Sequence, residues 1–169
     1  PRLYNATLVP TSEGLVSVAL VDGAKVDSAG NATTQQIPFE FTHDISDPIT
    51  TLTVASSNSN KAVAKLDNTV TLTINSNETI VAPIVVMKMG DAVVDSQYIT
   101  IATGPNGVTE GVNGNEVTHS PTWTASFNVQ AAMDPSDGSW IDGDMTFSVI
   151  ATDLAGNQAD ANTTITEAD

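Results

Sequence analysis

The residues of this chain that could do chemistry are its carboxylates. The run Asp134-Pro135-Ser136-Asp137-Gly138-Ser139-Trp140-Ile141-Asp142-Gly143-Asp144 sets four Asp within eleven residues. Like charges this close repel, and a divalent cation would relieve them; a cluster of hard oxygen donors suits Ca²⁺. The spacing is not that of an EF-hand, because Pro135 interrupts it and no Glu closes the loop. A solvated acidic turn is the competing reading. A second pair, Asp44 and Asp47, stands just before Pro48. A third, Asp27 and Asp153, opens two copies of Asp-x-Ala-Gly-Asn, at 27–31 and 153–157. In that pentapeptide Asp can bond the turn backbone and Gly supplies a positive φ, so turn-making accounts for it without a metal. Asp27, Asp44, Asp47, Asp134, Asp137, Asp142, Asp144 and Asp153 are the candidate Ca²⁺ ligands.

Other chemistry is sparse. There is no cysteine, which excludes a disulfide scaffold, a thiol nucleophile and a Cys-type metal site. His43 and His119 are the only histidines. They lack zinc spacing, and no nucleophile-elbow pattern accompanies them. The chain therefore reads as a non-enzyme. Trp140 lies in the acidic turn, where it could stack on a sugar or pack over the end of a sandwich. Asn-x-Ser/Thr occurs at Asn5, Asn31, Asn77 and Asn162. These are candidate glycan sites if the source is eukaryotic and secreted.

Charge narrows the partners. Five Lys plus Arg face twenty Asp plus Glu, a net charge of −15 over 169 residues. Such a chain repels phosphate, which excludes nucleic-acid binding and disfavours anionic membrane surfaces. No apolar run approaches the ~20 residues of a membrane span. With 40% hydrophobic residues the chain still has the means to fold. The first residue is Pro1, so the chain reads as an excised segment of something longer.

The elements that must position these groups are strands. Val70, Leu72 and Ile74 alternate with Thr69, Thr71 and Thr73. Trp123, Ala125, Phe127 and Val129 alternate with polar residues, as do Met145, Phe147, Val149 and Ala151 with Thr146, Ser148, Ile150 and Thr152. Period-two alternation means strands with one face inward, and it places Trp123 in the core. Further strands are expected at 51–55, 84–89, 96–102 and 159–166. About seven short strands separated by turns predict an all-β, immunoglobulin-like sandwich. Residues 104–121, with four of the eleven Gly, read as a long inserted loop.

The chain also repeats itself. Besides the pentapeptide, Tyr4–Leu8 resembles Trp123–Phe127, Leu15–Val21 resembles Met145–Ala151, and 33–42 resembles 159–166. Residues 1–44 thus look like the last three strands of one domain, and 45–169 like a complete second domain, as in a tandem array. The final strand would put the 153–157 turn and the domain's end at opposite poles.

These residues resemble a known family, the bacterial Ig-like domains repeated in large surface adhesins and related extracellular proteins. The carrying stretches are Ala64-Lys65-Leu66-Asp67-Asn68-Thr69-Val70-Thr71-Leu72-Thr73, Ser76-Asn77-Glu78-Thr79-Ile80, Trp123-Thr124-Ala125, Asp137-Gly138, Thr146–Val149 with Asp153–Asn157, and the joint Asp44–Pro48. Leu66-Asp67-Asn68 departs from the Gly-Asp turn that the family usually has. The resemblance implies an extracellular or cell-surface structural module, a stalk or filament element; some members bind Ca²⁺ near their joints, which makes Ca²⁺ a candidate for stiffening this one. Its partners would be neighbouring domains of the array or adjacent protomers in a filament. The competing class is an adhesion module that recognises glycan or a surface protein through 104–121 and Trp140.

Overall fold

The structure, a computed structural model, describes residues 5–23, 25–32, 34, 37–111, 116–130 and 143–167. The chain divides into two compact units, Pro1–Ser46 and Asp47–Asp169. Among the described residues no α-helix forms, and no helix is long and apolar enough to cross a membrane.

Among its described residues the first unit has two strands, β1 (Gly14–Val18) and β2 (Phe39–His43), paired antiparallel from Gly14↔His43 to Val18↔Phe39. Asn5–Leu8, expected as a third strand, is irregular. Val16, Val18, Phe39 and Phe41 share one face of the pair, with the two rings 5.9 Å apart. Two strands are too few to enclose a core. None of the unit's described residues is buried, and Phe39 keeps 68% of its surface exposed.

The second unit opens with β3 (Thr50–Ser56), β4 (Thr69–Val81), β5 (Ile84–Met89) and β6 (Ala92–Val93). After a 3₁₀ turn at Ser96–Tyr98 come β7 (Thr100–Thr103), β8 (Val108–Glu110), β9 (Val117–Asn128), β10 (Met145–Ile150) and β11 (Ile165–Glu167). One sheet runs β11-β3-β4-β9-β7, with β8 also on β9; the other runs β10-β5-β6. All pairs are antiparallel except β11 with β3.

The alternation seen in the sequence becomes the core. Val70, Leu72 and Ile74 of β4 lie opposite Phe127, Ala125 and Trp123 of β9, and all six are buried. Met87, Phe147 and Val149 from the other sheet close the same cluster. Two sheets sharing one core make a β-sandwich. Each fully buried Leu or Ile contributes roughly 1.5–3 kcal/mol by leaving water.

Three expectations are revised, and one departure is explained. Residues 104–121 are not one loop, because β8 and the start of β9 form a hairpin inside them. β7 and β8 pair with the same strand as two halves of one edge. Between Thr103↔Trp123 and Val108↔His119, four residues face three, which is a one-residue bulge. A Cβ on Gly104 would lie 2.9 Å from Thr122 Cβ, and one on Gly107 2.5 Å from Thr103 Cβ, so the bulge needs both glycines. Second, the strand expected at 96–102 begins only at Thr100, since Asp95 caps the 3₁₀ turn by accepting from Gln97 N at 3.0 Å. Third, 159–166 is not one strand. It bridges β10 at Val149↔Asn162, then crosses to β3 as β11. The departure is at Leu66-Asp67-Asn68, which turns without glycine, because Asp67 adopts φ +68° while Asp67 N bonds Val129 O at 2.8 Å.

Leu72→Ala should destabilise the second unit by about 2–5 kcal/mol, because the site lies mid-sheet and collapses poorly. Urea denaturation followed by Trp fluorescence reads this; a loss under about 1 kcal/mol would mean that Leu72 does not anchor the core.

Candidate metal centre

β4 and β9 do not stay in register. Between Asn75↔Thr122 and Ile80↔Ser120, β4 places four residues, Ser76 to Thr79, where β9 has Pro121 alone. The excess chain cannot lie in the ladder and must bow out of it, re-aiming its side chains. Asn77 catches the start of the unit: its Oδ1 accepts from Ile49 N at 2.7 Å, and its own N donates to Ile49 O at 3.0 Å. The next residue is Glu78, half-buried. Beyond the excursion, Ile80 bridges Asp153, and Val81 N donates to Thr152 O at 3.0 Å. Trp123 holds the far side. Its Nε1 donates to Ile80 O at 3.2 Å and to Ser120 O at 3.1 Å.

This geometry brings carboxylate oxygens of Glu78 and Asp153 within 4.8 Å of each other, close enough to share a metal ion. Asp153 is 3% exposed, and its own turn cages it. Oδ1 accepts from Gly156 N at 2.6 Å and from Asn157 N at 2.8 Å, and Oδ2 accepts from Asn157 Nδ2 at 2.8 Å. Gly156 takes φ +96°, which a side chain would resist. Burial alone pushes the carboxyl up. The bonds from the Asn157 side chain and from the backbone of Asn157, Gly156 and Ala155 outweigh it, so the group sits below the usual carboxylate value.

The first unit repeats the cage. Asp27 Oδ1 accepts from Asn31 N at 2.9 Å and from Ala29 N at 2.8 Å, and Oδ2 accepts from Asn31 Nδ2 at 2.8 Å. Gly30 takes φ +86°. The flanking bridges match as well, Val26↔Ala32 against Thr152↔Gln158. The Asn31 side chain is the main cause holding the Asp27 carboxyl low.

Asp44 is half-buried, and its Oδ1 accepts from Ser46 N at 3.1 Å. Asp47 is exposed. Asp144 is exposed just before β10, at the opposite end of that strand from Asp153. Roughly 20 Å of strand then separates the two, too far for one ion. Asp134, Asp137, Trp140 and Asp142 lie outside the described residues. Asn5 and Asn77 are exposed, whereas the amide nitrogens of Asn31 and Asn162 are engaged, with Asp27 Oδ2 and with Thr50 respectively. His43 Nδ1 meets Ser12 O at 3.0 Å, and His119 Nε2 lies 3.6 Å from Glu110 Oε2 across the β8–β9 hairpin. Glu78 escapes a reading that scans for clustered Asp. The signal that could have found it is the Ser76–Glu78 pair of the sequence.

The folded Asp153 carboxyl is depressed, so the stability it contributes is present above the unfolded value near 3.9 and is lost as pH falls through the folded value. Asp153→Asn should lower stability at neutral pH by roughly 2 kcal/mol, the scale of hydrogen bonds to a charged group. Its deficit against the unmodified chain should shrink as pH drops below about 4. Thermal melts across that range read both effects, and a deficit constant with pH would contradict the cage. Comparison with protein-family models, with curated proteins and with solved structures finds no match for the chain.

Proposed function

We propose that this chain is a structural piece of an extracellular or cell-surface repeat protein, an adhesin stalk or filament, built from immunoglobulin-like sandwiches. The observation that carries the reading is the duplicated Asp cage, in which the equivalent Asn bonds both carboxylate oxygens in each unit and the flanking bridges recur 126 residues apart. A turn repeated at this level of detail is expected when one domain type recurs along a chain. Strand order supports the same reading. Taken in sequence, β3, β4, β9 and β7 fall on one side as strands A, B, E and D, and β5 and β10 on the other as C and F. The last segment starts beside F and ends beside A. The distribution is the one expected of a Greek-key, Ig-like domain, and it supports the proposal. The first unit, in this reading, is the C-terminal part of a preceding copy. Its exposed Phe39 and Leu15 mark where further strands, from the array or from a neighbouring protomer, complete it.

The proposal includes Ca²⁺ at the joint. The entry strand is tied at Ile49 to Asn77, beside Glu78, and the chain carries Asp44 and Asp47 within five residues upstream of Ile49. Asp47 stands two residues before Ile49, at most ~7 Å of extended chain, which makes it the linker carboxylate tethered closest to that tie. Ca²⁺ takes six to eight oxygens in flexible geometry, so backbone carbonyls and water would complete the shell.

Chelation with EDTA should lower the melting temperature, and restoring Ca²⁺ at a hundredfold excess over Kd should return about 2.7 kcal/mol. Glu78→Gln should abolish the response, while Asp144→Asn should leave it intact. Melting curves and small-angle scattering that are identical with and without Ca²⁺ would remove the metal from the proposal.

A further inference from the structure

At the pole of the second unit opposite Asp153 the sandwich stands open. Val70 marks that pole, at the far end of β4 from Ile80, which bridges Asp153. Val54 of β3, Met89 of β5, Val129 just past β9 and Met145 of β10 keep the phase of buried Leu52, Met87, Phe127 and Phe147, two residues further in. Each of the four is only half-buried. With Val70 and Phe147 they line a cavity of about 600 Å³. The chain crosses this end between β3 and β4. Ser56 N donates to Lys61 O at 3.0 Å, and Asp67 N and Val129 N donate to Val129 O and Asn68 O, both at 2.8 Å. The crossing is thus pinned at both its ends, and Lys61 to Leu66 form one lip of the cavity. Val63 and Leu66 stay half exposed there. Lys61 and Lys65 are two of the chain's five cationic side chains. Among the described residues neither ammonium pairs with a carboxylate.

We propose that this open end binds a free long-chain fatty acid, with its tail between the two sheets and its carboxylate on Lys61 and Lys65. The volume falls within the roughly 300–1,000 Å³ of small-molecule sites. The walls select the tail, because they are aliphatic and thioether side chains with one aromatic ring, Phe147. Ser56 is the one hydroxyl among the described lining residues, and it is buried with its Oγ accepting from Asn58 N at 2.9 Å. A sugar or a polar ring would find few partners in these walls. Met89 and Met145 lie opposite one another, and such unbranched side chains repack around a flexible chain. Each methylene that enters leaves water, and so do the exposed parts of the four half-buried residues. The lip selects the head. Lys stems cover apolar surface while their ammonium groups stay wet, which sets two cations above the tail. Asp144, the one carboxylate among the described lining residues, stands on the β10 side and not on the lysine lip. An exposed ion pair is weak, and a chain of net charge −15 repels anions at a distance. The tail therefore supplies most of the affinity and the lysines the choice of headgroup. The site lies wholly in the second unit and holds whether or not that unit is a stalk element.

The test is NMR of the full chain with isotope-labelled Met methyl groups, titrated with dodecanoate below its micelle concentration. Met89 and Met145 report on the cavity, and fully buried Met87 reports on the core beside it. Dodecanoate should shift Met89 and Met145 saturably, at one molecule per chain, and leave Met87 nearly unmoved. It should bind several-fold more tightly than dodecan-1-ol, and acetate should cause no shift. Replacing both exposed lysines, Lys61→Gln with Lys65→Gln, should remove the advantage of the acid over the alcohol and leave the alcohol's own affinity unchanged. Equal binding of acid and alcohol to the unmodified chain, or an advantage that survives the double variant, would overturn the assignment of the headgroup. Shifts that never saturate mean adsorption, and a Met87 that moves as far as the others means a core loosened by detergent. Silent Met89 and Met145 mean a cavity already filled by another part of the chain. Shifts that follow protein concentration without ligand mean that a second copy fills it. Each of these four outcomes overturns the site. The calcium result is separate, since chelation acts at the opposite pole and should leave dodecanoate binding unchanged.

Discussion

Four residues of β4 face a single residue of β9, and the second unit is organised around that mismatch. A strand in register would continue along β9 and pair to its end. Here the excess chain at 76–79 bows out, so that β4 returns at Ile80 against both β9 and the Asp153 turn that follows β10. One strand thereby ties the two sheets at one end. The buried Trp123 supplies the hydrogen-bond donor that makes the excursion tolerable, since Ile80 O and Ser120 O both accept from its Nε1. A carbonyl buried there without a donor would carry a desolvation penalty of about 1–3 kcal/mol. The same bow offers Asn77 to the entering chain and Glu78 to Asp153.

The Asp153 cage is a turn device first. Its carboxylate is bonded by backbone and amide donors, and the equivalent Asp27 is bonded by the equivalent Asn while exposed. The conformation therefore does not depend on burial. What burial adds at Asp153 is a second use. A carboxylate already held ionised by its turn presents charge to Glu78 at no further cost of deprotonation. The excursion in β4 determines which of the two cages acquires a neighbouring carboxylate.

Much of the sandwich was legible because period-two alternation is local. Val70-Leu72-Ile74 and Trp123-Ala125-Phe127 announce an inward face without knowledge of their partners, and those faces meet across β4 and β9. The asymmetric pairing was not legible. Ser76-Asn77-Glu78-Thr79 is a polar run that looks like the end of a strand, and only its partner's register shows that the strand resumes. The Gly-rich 104–121 stretch misleads in the other direction. Glycine usually marks a loop, yet Gly104 and Gly107 are there because side chains would strike Thr122 and Thr103 within a bulged edge. The densest acidic cluster drew attention through charge alone, while the pair of carboxylates brought together joins Glu78 to Asp153, seventy-five positions apart.

Asn162 shows how a short motif can carry two incompatible meanings. As Asn162-Thr163-Thr164 it spells a glycan acceptor. In the fold its Nδ2 is committed to Thr50 O and Thr50 Oγ1, and its Oδ1 to Thr164 N. A glycan on Nδ2 would take one of its two N–H donors, so the two bonds to Thr50 could not both be kept. Aspartate at this position would turn a carboxylate oxygen toward the Thr50 carbonyl, two acceptors with no proton between them. Alanine would leave that carbonyl without the side-chain donor. Only an amide on this short stem both donates to the first strand and accepts from its own chain two residues on. The need to join two sheets at one crossing therefore accounts for Asn162 on structural grounds alone.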